Sequence, residues 1–107
     1  VGIFNVTSQA FLLHSIQEHI AREHIALDWK FNGAASLGDA VYFSPDWADA
    51  VGIFNVTSQA FLLHSIQEHI AREHIALDWK FNGAASLGDA VYFSPDWADA
   101  VGIFNVT

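Results

Sequence analysis

The chain has 107 residues, 52% of them hydrophobic and 14% aromatic, with four tryptophans, a composition that excludes a disordered polymer. Twelve acidic residues against four basic ones give a formal charge of −8, which argues against a nucleic-acid groove or docking on an anionic membrane, since both need Lys and Arg. Cysteine is absent, so disulfides and thiol chemistry are excluded.

Residues 51–100 repeat residues 1–50 without one substitution, and 101–107 repeat "VGIFNVT" a third time. Natural repeats drift at surface positions, where most changes cost little. Complete identity is what an engineered or synthetic chain, or a very recent duplication, would show. A unit of this length is near the lower limit for folding alone, because buried surface barely offsets chain entropy. The expectation is one pseudo-symmetric domain over 1–107, made of repeat 1 (1–50), repeat 2 (51–100) and a partial third-repeat strand (101–107). No strictly apolar run exceeds four residues, as at Ala10 to Leu13, so no membrane span is expected, and no signal peptide is visible. Localisation is not legible.

Within the unit, Val1 to Thr7 is apolar and β-branched, and predicts a strand. Ser8 offers an N-cap for a helix from Gln9, with Leu12, Leu13, Ile16 and Ile20 on one arc and Ser15, Glu18 and Arg22 opposite. From about His24 to Asn32, Ile25, Leu27, Trp29 and Phe31 alternate with polar or small residues, predicting a second strand. Asn32-Gly33 reads as a turn and 34–39 as loop, followed by a strand over Ala40 to Ser44. Ser44-Pro45-Asp46 is a helix-start signature leading into a short helical turn.

The fold class expected is therefore α+β, a tandem strand-helix-strand-strand unit with an extra C-terminal strand. A 50-residue period is also that of a kelch-type propeller blade. A blade is four strands, and the amphipathic helix sets this unit apart from it. The strand at Val101 to Thr107 is expected either to pair with an edge of its own chain or to take the place of Val1 to Thr7 in a neighbouring molecule.

Candidate sites are few. His14 and Glu18, with His64 and Glu68, stand four apart, and on a helix each pair would face one way and could hold a divalent transition metal. The commoner role of such pairs is as solvated helix residues. Trp47 and Trp97 stand among acidic residues in a short turn and are candidate aromatics for a small ligand, a glycan or an interface, whereas Trp29 falls in a core-facing alternation. Asp39, Asp46 and Asp49 lack the spacing of a calcium loop, and no Walker, G-x-G-x-x-G, G-x-S-x-G or HExxH pattern occurs. The sequon Asn-Val-Thr at Asn5, Asn55 and Asn105 falls in a predicted strand. No catalytic constellation emerges. The functional expectation is a structural, self-associating repeat protein, with a binding module carrying repeated sites as the alternative.

Overall fold

The computed structural model of the chain describes residues 1–18, 30–73 and 79–107, and it is mostly strand with little helix. That balance overturns the α+β expectation, since the described residues form three antiparallel sheets. The strands are β1 (Gly2–Asn5), β2 (Ala10–Leu13), β3 (Phe31–Leu37), β4 (Ala40–Pro45), β5 (Ala50–Asn55), β6 (Ala60–Ser65), β7 (Phe81–Leu87), β8 (Ala90–Pro95) and β9 (Gly102–Asn105), with helix α1 (Gln67–Glu73) between β6 and β7.

The correction begins at Asn5. Its Oδ1 accepts the N–H groups of Thr7 and Ser8, both at 3.0 Å, and the Gln9 N–H donates to its carbonyl at 2.6 Å. Gln9 has φ 62°, a left-handed conformation that no first turn of a helix can contain. Val6 to Gln9 is thus a hairpin loop, and Asn5 pairs with Ala10 across it. Asn55 and Gln59 (φ 59°) repeat the arrangement between β5 and β6. The run Ala-Phe-Leu-Leu fits a strand as well as a helix, and pairing with β5 decides for the strand.

The helix does form in the second unit, starting at Gln67 rather than Gln59. Ser65 Oγ accepts the Gln67 N–H at 3.3 Å just ahead of the first turn, and Ile70 is buried. In the first unit, the helical continuation beyond Glu18 and most of the strand expected from His24 lie outside the described residues; Phe31 and Asn32 open β3.

Asn32-Gly33 is not a turn but a β-bulge. The register of β3 with β4 shifts between Phe31 and Ala34, and Gly33 takes φ 88°. The chain reverses instead at Gly38-Asp39, between the paired residues Leu37 and Ala40, so 34–37 is strand and not loop. Nor does Ser-Pro-Asp start a helix. The N–H groups of Asp46 and Ala48 donate to the Lys30 carbonyl at 3.1 and 3.2 Å, strapping the exit of β4 to the entry of β3.

The sheet orders are β1-β2, β3-β4-β5-β6 and β7-β8-β9. The second sheet takes β3 and β4 from repeat 1 and β5 and β6 from repeat 2, so the structural module straddles the sequence unit. Alternation along the strands gives this sheet two faces. Tyr42, Val51 and Ile53 lie on one face, packed against Phe81, Val91 and Phe93 of the third sheet, and this is the buried core. At the closest approach of β3 to β7, a Cβ on Gly33 would stand 2.5 Å from Gly83 Cα. No helix among the described residues is long and apolar enough to cross a membrane.

Candidate self-association interface

The joint between consecutive sheets recurs twice. His14, at the end of β2, sets its ring edge-on to Phe54 of the second sheet with centroids 5.0 Å apart. His64, on β6, does the same to Phe104 of the third sheet at 4.8 Å. The first sheet therefore approaches the second as the second approaches the third.

The two joints differ in completeness. Between the second and third sheets, β3, β4, β5 and β6 are all present. Among the described residues, the first sheet has only the equivalents of β5 and β6. Beside it lies an apolar cavity of about 580 Å3, lined among others by Ile3, Leu12, Phe31, Phe43, Phe54 and Phe61. The corresponding cavity at the complete joint is about 220 Å3 and includes Pro45 and Val51 among its lining residues.

Residues of identical sequence differ in burial. Phe4 is 57% exposed and Phe54 2%, while Phe11 is 63% exposed and Phe61 2%. At the opposite end of the stack, Tyr92 is 37% exposed where Tyr42 is 8% exposed. Leu87, Val101 and Ile103 are also exposed there. One end thus presents a partly uncovered aromatic face, and the other presents the kind of face that covers it inside the chain.

Strand β9 pairs with β8 in the register that β5 keeps with β4. Ala90, Val91, Tyr92 and Phe93 face Asn105, Phe104, Ile103 and Gly102, as Ala40, Val41, Tyr42 and Phe43 face Asn55, Phe54, Ile53 and Gly52. The outer edge of β5 carries β6, whereas β9 carries no strand on that edge among the described residues.

The residues singled out by sequence fall as follows. His64 is on β6 and Glu68 on α1, while His14 follows β2, so the shared helical face of each His–Glu pair does not form. Among the described residues no three His, Asp or Glu side chains are grouped to hold a metal ion. Trp47 and Trp97 are brought together by Trp79, whose ring centroid stands 5.3 Å from one and 4.6 Å from the other. Trp79 itself has φ 51°, and Trp29 lies outside the described residues.

Reading the sequence missed Lys80, whose side chain is fully buried with Nζ 3.2 Å from Asp49 Oδ1 in the other repeat. Its N–H donates to the Asp46 carbonyl at 3.1 Å, and its own carbonyl accepts from Asp96 and Ala98 at 3.0 and 3.3 Å. Lys80 is a strap across the repeats, and its only sequence signal was a cation in an acidic chain. Comparison of the chain with protein-family models, curated proteins and solved structures found no match.

Proposed function

We propose that this chain is a structural repeat protein whose working property is self-assembly from four-stranded modules, each completed by the unit that follows it. The observation that carries the reading is the shared register of β4–β5 and β8–β9, which makes the second and third sheets each a product of two units. The apolar lining of both inter-sheet cavities supports packing rather than catalysis. Sedimentation velocity from low to high micromolar concentration tests the reading. The weight-average mass is expected to rise above that of one chain; a constant monomer mass defeats the proposal.

A second reading, a binding module, is supported by the row of indoles ending at exposed Trp97. It expects tryptophan fluorescence to shift with added sugar, and the shift to vanish in Trp97→Ala.

A further inference from the structure

We infer that a second copy of this chain completes the open joint by strand exchange, its β1–β2 hairpin replacing β9 on the edge of β8. The inference rests on the self-assembly reading and names the partner surface. Residues 1–15 have the same sequence as 51–65, which form the β5–β6 hairpin, and β8 has the sequence of β4. The second sheet is therefore a template for the exchanged one: β7 and β8 of one molecule, then β1 and β2 of the next.

Pairing is conserved in the exchange. The contacts β8 gives up with Gly102 to Asn105 are recovered with Gly2 to Asn5, residue for residue. What is gained is packing. The rebuilt sheet carries Leu87, Tyr92 and the incoming Ile3 on the face that Leu37, Tyr42 and Ile53 occupy in the second sheet. That face would close over the 580 Å3 cavity of the incoming molecule, as its equivalent covers Phe81, Val91 and Phe93 within one chain.

Large apolar side chains are exposed at both ends, Phe4 at 57% and Phe11 at 63% on one, Leu87 at 75% and Ile103 at 64% on the other. The joint is head-to-tail, so it propagates until it closes into a ring or grows as a filament.

The tethered β9 competes with the incoming hairpin at high effective concentration. Deleting residues 101–107 should therefore tighten association roughly tenfold or more, measured by sedimentation equilibrium. The free peptide Val-Gly-Ile-Phe-Asn-Val-Thr should return the truncated chain toward monomer. Should truncation unfold the chain, the full-length double variant Ile3→Cys, Tyr92→Cys gives an independent reading. Tyr92 stands opposite Ile103 in the closed chain and would stand opposite Ile3 of the next molecule after exchange. The sequence holds no other cysteine. Oxidation is expected to give a covalent ladder beyond the dimer, which neither single variant can give. If association occurs but is unchanged by truncation and no ladder forms, exchange is wrong and self-assembly stands. A monomer under every condition removes both.

Discussion

Gly33 and Gly83 have the same sequence context and nearly the same φ, yet only Gly33 is crowded. A methyl group at Gly33 meets the backbone of Gly83 at 2.5 Å, while one at Gly83 meets nothing within 4 Å. Gly83→Ala should therefore cost only the strain of positive φ, about 1 kcal/mol, whereas Gly33→Ala should cost several-fold more because β3 and β7 must part. Urea unfolding of the two variants checks the difference. The phenylalanines make a parallel comparison. Truncating buried Phe54 to Ala should cost about 3–5 kcal/mol, and truncating exposed Phe4 less than about 1 kcal/mol in the dilute monomer. Equal losses would mean that the first hairpin is already covered.

The hairpin Asn-Val-Thr-Ser-Gln is the element most nearly written in local sequence. Asn5 and Asn55 each accept two backbone N–H groups at about 3 Å, and Asn105 accepts that of Thr107 at 2.9 Å. Such bonds between a side chain and its own backbone need no tertiary partner. Asn55→Ala should lower stability by about 1–2 kcal/mol, through two lost bonds, without altering the helix that follows Ser65. Thermal unfolding followed by far-ultraviolet circular dichroism measures both. A helix was expected from an amphipathic arc, but of that arc's equivalents in the second unit only Ile70 lies in α1. Leu62 and Leu63 serve either period, and only the β5 ladder fixes them as strand.

At the scale of the molecule, Lys80 joins repeats that alternation alone does not hold together. Lys80→Ala removes a buried cation from Asp49 and empties its site, and should cost about 2–4 kcal/mol. Because the pair crosses from one repeat to the other, the loss should appear as a lower midpoint of a single unfolding transition. Two separate transitions would show that the repeats are independent. If the chain assembles, its melting temperature should also rise with protein concentration.

Taken by itself, the sequence determined the 50-residue period, a strand within Val1 to Thr7, another over Ala40 to Ser44, and the abundance of core-forming side chains. These follow from local sterics, side-chain bonds to nearby backbone and composition, all of which act within a few residues. Which strands share a sheet, where the module begins, and why Phe54 is buried when Phe4 is not were decided only by tertiary structure. Identical residues cannot encode different burial. That difference comes from what stands against them: Phe54 meets the His14 ring of the first sheet and has Val41 of β4 beside it, whereas no strand among the described residues lies on the corresponding edge of β1.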